Sequence, residues 1–460
     1  MREKGRNFLM EENKMGVMPE GKLLFTMAAP MMASMLFQAF YNIVDSVVVA
    51  MVSQDALNAV SLAFPVQSLA IALSTGTGVG VNALLSRYLG EKRKDKADQV
   101  ANTGIFLFFC SAVFFSILGL TLPKAYYALQ TENEMIIRYG TDYLSVCMGM
   151  CYMLFGQMCF ERLLQSTGRT DLAMIPQITG ALINMILDPI MTLGLFGCPR
   201  MEVRGAAVAT LFGQSAACII GIFLNIRKNK EITLDLRQIK PKKVYITEIY
   251  RVGLPSILMQ AIGSVMNFFM NRILISFTEA ATAAFGAYYK IQSFIFMPIF
   301  GLNNAFVPIA AYNYGAGKFH RVKKTLRLTI LSAIAVMTVG TILFETIPQT
   351  LIGFFSPSDE MLSVGTTAFR IIGVHFPIAG FCIVAGSACQ ALGKPVYSLI
   401  TSIFRQLLAL LPAAFLLSLT GNLSMVWWAF PIAEVVSLIF SAIFLKRTIT
   451  AAGTVKQETF

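Results

Sequence analysis

The sequence predicts an all-α membrane protein with twelve transmembrane helices in two parallel six-helix lobes and a central cleft. Three observations predict this class: a strongly apolar composition, twelve apolar segments of bilayer length, and a repeat that relates the two halves. Of the 460 residues, 56% are apolar and 13% are charged, and the mean hydropathy is +0.65. Since a soluble domain carries about a quarter of its residues as charged side chains, the composition argues against an ordinary soluble enzyme.

Twelve segments are long enough to cross a bilayer, whose hydrocarbon core takes roughly 20 apolar residues of helix. The first, second, seventh and eighth have additional length with which to tilt or kink. The predicted kink sites are the prolines inside these four segments: Pro30, Pro65, Pro255, Pro298 and Pro308. The predicted spans are residues 25–50, 57–82, 99–122, 136–160, 172–196, 204–226, 247–277, 281–310, 325–347, 361–387, 396–419 and 424–445.

Basic residues predict the orientation in the membrane. The formal net charge is +12, and most Lys and Arg lie in the N-terminal segment and in the loops after even-numbered spans. By the positive-inside rule, both termini then lie in the cytoplasm, and the net charge reflects topology rather than nucleic-acid binding. No cleavable signal peptide is expected, and we predict a multi-pass protein of the bacterial cytoplasmic membrane. The only basic residues on the opposite side, in its loops or at the adjoining span ends, are Lys124, Arg138, Arg200 and Arg204.

The two halves repeat with one constant offset of 225 residues, which relates Pro30 to Pro255 and Gly168 to Gly393. Because six spans is an even number, both halves enter the membrane in the same direction and form parallel lobes. We expect the lobes to rock about a cleft at mid-membrane, as in transporters that work by alternating access. The predicted regions are a cytoplasmic N-terminal segment at 1–24, an N-lobe at 25–226, a lobe linker at 227–246, a C-lobe at 247–445 and a cytoplasmic tail at 446–460.

Acidic side chains inside the membrane are costly and usually functional. Asp45 lies in span 1 and Asp188 in span 5, and each has a polar residue one turn earlier on the same helix face, Tyr41 and Asn184 respectively. At about 1.5 Å per residue, both acids lie in the outer half of the membrane, at depths compatible with one shared site. The plainer interpretation is that each acid is a buried polar residue satisfied by a neighbouring helix.

Two further positions belong to this hypothesis. Thr210 in span 6 could offer its hydroxyl to the shared site, although a threonine in a helix often bonds only to its own backbone. Glu161 lies near the cytoplasmic end of span 4, far from the two aspartates. It is either half of an interfacial ion pair with Arg162, or a gate or proton relay.

The repeat offset places no acid in the second half opposite Asp45, Glu161 or Asp188, so ion chemistry is expected in the first half. The second half is rich in Met and Phe, which make adaptable apolar surfaces. His375 is expected to be a packed polar residue. The predicted cleft-lining residues are Gln38, Met259, Gln260, Met266, Met270, Phe294, Met297 and His375.

Two aspartates with amide and hydroxyl oxygens suit either of two coupling ions. Close, buried carboxyls can hold a proton near neutral pH, and the same oxygens can coordinate Na⁺. Residue types alone do not separate H⁺ from Na⁺. We expect no cofactor, no catalytic residues and no resident metal, since the sequence has no CxxC motif, no P-loop and only two histidines.

The sequence resembles the multidrug and toxic compound extrusion (MATE) family, especially its bacterial MepA-like branch, over about residues 20–447. The resemblance rests on the paired six-span repeats, the motif Gln165–Arg169 with its echo Gln390–Lys394, and the Asn184/Asp188 pair. It implies export of cationic amphipathic drugs against a proton or sodium gradient. It assigns ion binding to Asp45, Asn184, Asp188 and Thr210, and implies no second-lobe cation site, because Gly263 stands where another branch has an acid.

Two other functions stay open at this stage. A lipid-linked oligosaccharide flippase of the same superfamily would line its cleft with several Arg and Lys to hold pyrophosphate, and the spans contain few bases. A channel or a non-transporting sensor is the third possibility, which saturable, gradient-dependent flux would exclude. We expect a monomer in the lipid bilayer, with small cationic molecules as partners.

Overall fold

The computed structural model describes residues 13–235, 241–355 and 357–454. Parts of three predicted regions lie outside the described residues: the N-terminal segment, the lobe linker and the C-terminal tail. These parts include Arg2, Lys4, Arg6, Arg237 and Lys240.

The first half of the chain is helical almost throughout. A short helix α1 precedes the first long helix, and the later helices are joined by short turns. The bounds are α1 Lys14–Val17, α2 Glu20–Ala50, α3 Gln54–Gly90, α4 Lys94–Thr121, α5 Pro123–Ala128, α6 Glu134–Gly149, α7 Tyr152–Ser166, α8 Thr170–Leu193 and α9 Val203–Lys228.

The second half follows the same order of long and short helices. A π-helical segment at Phe404–Leu410 interrupts the eleventh span. The bounds are α10 Lys243–Ile275, α11 Glu279–Gly315, α12 Phe319–Thr346, α13 Pro348–Gly353, α14 Asp359–Gly373, α15 Phe376–Ala391, α16 Pro395–Ser418 and α17 Leu423–Thr454.

Ten of these helices are long and apolar enough to cross a membrane, and two bent pairs, α6 with α7 and α14 with α15, bring the number of spans to twelve. The predicted all-α class with twelve spans is confirmed. The sharp bends, of 43° and 52°, lie between Gly149 and Tyr152 and between Gly373 and Phe376. None of the five predicted prolines lies at these bends; they are inside continuous helices, where neighbouring groups can satisfy the backbone that proline frees.

The repeat extends to the chemistry of the helix ends. Ser53 accepts a hydrogen bond from the Ala56 amide at 3.0 Å, and Thr278, which the repeat offset relates to Ser53, caps α11 through the Ala281 amide at 3.0 Å. These side chains satisfy amides that have no partner within the helix. Gly168 and Gly393 end their helices with φ values of 82° and 78°, a conformation that favours glycine.

The two halves pack closely where small residues face the backbone of a neighbouring helix. A Cβ placed on Gly76 of α3 would lie 2.8 Å from the Gly253 carbonyl oxygen of α10. Gly301, which the repeat relates to Gly76, packs in the same way in α11, where a Cβ would lie 2.6 Å from the Cα of Met32 in α2. Small residues thus allow the backbones of the two halves to touch.

A third close contact joins α3 to α11 at one end of the molecule. A Cβ on Gly90 would lie well under 3.0 Å from the Tyr312 carbonyl oxygen, and one on Gly315 would lie as close to the Arg87 carbonyl oxygen. We call this end the basic end; it is formed by residues 13–20, 87–94, 167–171 and 313–324. The halves are in contact here.

Residues 13–20, which we call the N-terminal strap, bind both halves at the basic end. Asn13 donates from Nδ2 to the Thr167 carbonyl at 3.0 Å and to Glu231 Oε1 at 2.9 Å. On the other half, Asn313 Nδ2 donates to the Met15 carbonyl at 2.9 Å. Met15 itself is fully buried. The strap thus connects the two halves through hydrogen bonds as well as apolar packing.

Charged groups reinforce the strap. Arg321 donates to the Met18 carbonyl and lies 3.3 Å from the Glu20 carboxylate, which Lys324 also contacts at 3.0 Å. Burial lowers the pKa of the Lys14 ammonium, and Asp171, 3.6 Å away, opposes that shift. Likewise, burial raises the pKa of the Glu231 carboxyl, which the bond from Asn13 opposes. Because burial disfavours the charged forms of Lys14 and Glu231, the contacts from Asp171 and Asn13 offset part of a desolvation cost.

Arg321→Ala is expected to release the strap. A hydrogen bond from a charged group contributes about 1.5–3 kcal/mol, so amide hydrogen exchange in Lys14–Val17 should become roughly tenfold faster or more. Hydrogen exchange with mass spectrometry checks this. Arg327→Ala is the matched control, because Arg327 is exposed on the same helix. Equal exchange in the two variants would show that Arg321 does not hold the strap.

Candidate functional site

The predicted acidic site lies among α2, α8 and α9. Asp188 is fully buried, and its Oδ1 accepts a hydrogen bond from Thr192 Oγ1, one turn later, at 2.9 Å. Asn184, 3% exposed, donates from Nδ2 to Thr210 Oγ1 of α9 at 2.9 Å. The spacing of four residues in α8 therefore aims both polar side chains at the same interior space.

Asp45 of α2 completes the group. It is half-buried, and its carboxylate is close enough to Asp188 for the two to interact electrostatically. Tyr41 interacts with both aspartates and bonds to Thr210. The structure thus brings together all five residues predicted for ion coupling, which we call the first-half site. Their role in coupling stays a prediction.

The first-half site contains acceptors without donors. Among the described residues, Asp45 Oδ1, Asp188 Oδ2 and Asn184 Oδ1 are buried and have no hydrogen-bond partner. Buried oxygens normally have a partner, and leaving one without it costs about 1–3 kcal/mol. Three such oxygens in one place suit a proton or a hard cation such as Na⁺, which carboxylate and amide oxygens coordinate.

Sequence reasoning missed several neighbours of this site. Thr192 could have been found, because it is four residues after Asp188 and so shares its helix face. Tyr143 and Cys147 of α6 lie within electrostatic reach of Asp45, and Gln67 Nε2 donates to the Tyr143 hydroxyl at 3.4 Å. No pattern in α6 marks these two residues as polar-site neighbours, since only the folded packing turns them towards α2.

Glu161 and Arg162 do not form the ion pair that was one interpretation of their adjacency. Glu161 is buried and accepts a hydrogen bond from Gln157 Nε2 at 2.9 Å. Arg162 donates from Nη1 to Asn304 Oδ1 of α11 at 2.9 Å, and so connects the two halves. Consecutive residues of a helix point about 100° apart, so the two side chains bond to different partners, although their charges still interact. The gate or relay interpretation of Glu161 stays a prediction.

The predicted cleft-lining residues are divided between surfaces and core. Phe294 is half-buried and meets Phe40 of α2 edge to face, with ring centroids 5.4 Å apart. Gln38 accepts a hydrogen bond from Gln177 at 3.2 Å. Met266 and Met270 are buried, so in this conformation they offer no surface to a ligand. The remaining predicted residues are Met259 and Met297, both half-buried, Gln260, exposed, and His375, buried.

A buried acid of the second half, Glu434 of α17, was missed. It is 3% exposed and pairs with Arg405 of α16 at 3.5 Å. The acids of the first half do not predict it, because the repeat offset relates Glu434 to Ala209. The second half therefore does contain buried charge, contrary to the expectation from the repeat.

Both halves of the chain match a known protein family. The model of the MatE family matches residues 30–190 and 255–416, one match in each half. The chain is 26% identical to a protein of Shewanella oneidensis named FAD transporter, over 90% of this chain and 92% of that protein. It is 25% identical to the multidrug export protein MepA of Staphylococcus haemolyticus, over 92% of each chain.

Solved structures share the fold. One, described as the outward-facing conformation of a multidrug resistance MATE family transporter of the MOP superfamily, aligns with a TM-score of 0.91 at 25% identity, over 96% of this chain and 99% of that one. A MOP superfamily transporter from Pyrococcus furiosus aligns with the same TM-score of 0.91 at 24% identity. Since the family model covers most of both halves, the chain belongs to the MatE family and is a MepA-like MATE efflux transporter of the membrane, not an enzyme.

Proposed function

We propose that this protein exports cationic, amphipathic small molecules in exchange for H⁺ or Na⁺, by alternating access. The observation that carries the proposal is the group of three buried oxygens without donors at Asp45, Asn184 and Asp188. Two carboxylates with no base among the residues of this group attract a cation. The relatives named MepA support a multidrug cargo.

Coupling follows from a change in charge at the first-half site. A bound proton or Na⁺ neutralises one carboxylate, which lowers the cost of burying the pair. The ion and the drug exchange if each binds more tightly to a different conformation, because a ligand shifts an equilibrium only by its differential affinity. Asp45 and Asp188 lie on α2 and α8, and α2 packs against α11 of the other half, so loading here can bias how the halves meet.

The proposed setting is the bacterial cytoplasmic membrane, with the basic end in the cytoplasm. The strap, the loop at 91–93 and the loop at 316–318 all lie at this end, where the positive-inside rule places cytoplasmic segments. Within this proposal, residues 25–226 and 247–445 act as the two moving lobes, and one chain suffices for transport.

A second cargo class is favoured by one relative, the protein named FAD transporter. FAD is an aromatic dinucleotide with two phosphates, so its charge is opposite to that of a cationic drug. Uptake of FAD and of ethidium by inverted membrane vesicles, each with the other as competitor, separates the two cargo classes.

Proteoliposomes with separately imposed pH and sodium gradients test the proposed function, with ethidium as the probe. We expect saturable ethidium transport driven by one or both gradients. Transport that ignores both gradients would overturn the coupling, and flux that does not saturate would indicate a channel. Asp359→Asn is a matched control for variants at the first-half site, because it makes the same chemical change at an exposed acid.

A further inference from the structure

The second half contains a polar cluster that the proposed coupling does not use. Its members are His375 at the bend between α14 and α15, Arg405 in the π-helical segment of α16, and Glu434 of α17. We call it the second-half site. His375 is 5% exposed and Glu434 is 3% exposed, so both polar groups are removed from water and lipid.

The internal contacts of this cluster are incomplete. Arg405 Nη1 lies 3.5 Å from Glu434 Oε2, whereas a tight charge-assisted hydrogen bond is about 2.7–2.9 Å long. Among the described residues, Glu434 Oε1 and His375 Nδ1 are buried without any hydrogen-bond partner. A buried carboxylate held by one long contact, beside an unpaired imidazole nitrogen, is a site with unused bonding capacity.

Arg405 lies beside polar groups of three other helices of the second half. It interacts electrostatically with Tyr288 and Tyr289 of α11 and with His375, and it pairs with Glu434 of α17. The guanidinium of Arg405 therefore lies between α11, the bend of α14 and α15, and α17. The Arg405 side chain is 29% exposed and that of Glu434 is 4% exposed, so the guanidinium is the more accessible partner of this pair. Segments of π-helix occur frequently at functional sites.

The two polar sites have opposite charge character. The first-half site has two carboxylates and no base among its members, and so attracts cations. The second-half site has a guanidinium, which stays protonated in proteins and matches carboxylate geometry with two parallel hydrogen bonds. The long contact to Glu434 leaves N–H donors of Arg405 free for another carboxylate.

We propose that Arg405 binds a carboxylate of the transported molecule, with Glu434 as an internal competitor for the same guanidinium. This inference rests on the proposed export function and assigns Arg405 to the carboxylate of those cargo molecules that carry both a cationic ring and a carboxylate. Glu434 holds Arg405 in place when no such molecule is bound and keeps the guanidinium from selecting anions indiscriminately.

Equilibrium binding of two matched dyes to the full chain in nanodiscs tests this inference. One is a rhodamine with a free carboxylate and the other is its methyl ester, and fluorescence polarisation gives both Kd values. The readout is the ratio of the acid Kd to the ester Kd. Arg405→Gln should raise this ratio about tenfold, which corresponds to about 1.4 kcal/mol. Glu434→Gln should lower it, because the competitor loses its charge.

Both substitutions break the same ion pair. A purely structural role of that pair would therefore change the Kd ratio in the same direction in both variants, whereas recognition of the carboxylate changes it in opposite directions. Arg405→Lys keeps the charge without the two-pronged geometry, and its ratio should fall between those of the wild type and Arg405→Gln. If Arg405→Gln does not fold, Arg405→Lys and Glu434→Gln carry the test. Lys290→Gln removes an exposed base stacked over Phe355 and should leave the ratio unchanged.

Two results would overturn the inference: a ratio that neither variant changes, or one that Arg405→Gln and Glu434→Gln shift in the same direction. Failure of the proposed function looks different. In that case, transport of the methyl ester by wild-type proteoliposomes would not respond to either ion gradient. Gradient-driven transport of the ester together with an unchanged ratio would remove only the role of Arg405.

Discussion

Asp45→Asn and Asp188→Asn are each expected to abolish gradient-driven drug efflux while the protein still folds. Asparagine keeps the shape of the side chain but removes the charge that a bound cation neutralises. Removing one partner of a buried pair of opposite charges, here the carboxylate that faces the bound cation, costs about 3–5 kcal/mol. This corresponds to a loss of ion affinity of more than about a hundredfold. An ion that no longer binds at working concentrations cannot drive exchange.

The measurement is initial-rate transport of ethidium by proteoliposomes under an imposed gradient, with equilibrium ethidium binding measured on the same preparations. We expect transport to vanish and binding to persist, since Phe294 and the other predicted cleft residues are untouched. Asp359→Asn should transport as the wild type does. Wild-type transport by either Asp45→Asn or Asp188→Asn would reject the assignment of the first-half site.

Gly90→Ala and Gly315→Ala are expected to hold the basic end apart. A Cβ at either position would lie well under 3.0 Å from a backbone carbonyl oxygen of the facing helix. Backbone cannot rotate away as a flexible side chain can, so the helices must separate. Overpacking of this kind costs typically about 1–3 kcal/mol, and the cost falls only on the conformation in which α3 and α11 touch. The population ratio should therefore shift about 5–150-fold towards a conformation open at the basic end.

Spin labels at Lys92 and Lys323, both exposed at or beside the basic end, measure the separation after the exposed Cys110 and Cys198 are replaced. We expect longer distances in both glycine variants and slower drug transport, since the cycle needs this end to close. Gly286→Ala is the matched control within α11, because an added Cβ there meets nothing within 4 Å. Unchanged distances in Gly90→Ala would show that this contact does not control closure.

The spans and the repeat could be predicted because membrane insertion and helix ends depend on local sequence. Apolar length sets each span, and the offset from Pro30 to Pro255 also relates the caps Ser53 and Thr278. The prolines predict kinks within spans 1, 2, 7 and 8, whereas the two bends that divide a span lie after Gly149 and Gly373, in spans 4 and 10. A bend depends on what packs beside the helix as well as on its own residues, so span sequence alone does not locate it.

The candidate sites show a similar division. Asp188 and Asn184 could be paired from their spacing, because a helix places residues four apart on one face. The spacing does not say which neighbouring helix that face meets. Thr210 was therefore a weak prediction until its bond to Asn184, and the repeat did not point to Glu434, because its counterpart in the first half is Ala209.

Apolar length, charge placement and periodicity along one chain were enough to predict the membrane location, the twelve crossings and the repeat of the halves. The folded packing was needed to show which polar groups meet, which oxygens are left without donors and where the halves touch. Those features depend on contacts between residues far apart in the chain, and the energy of a buried charge is set by everything packed around it.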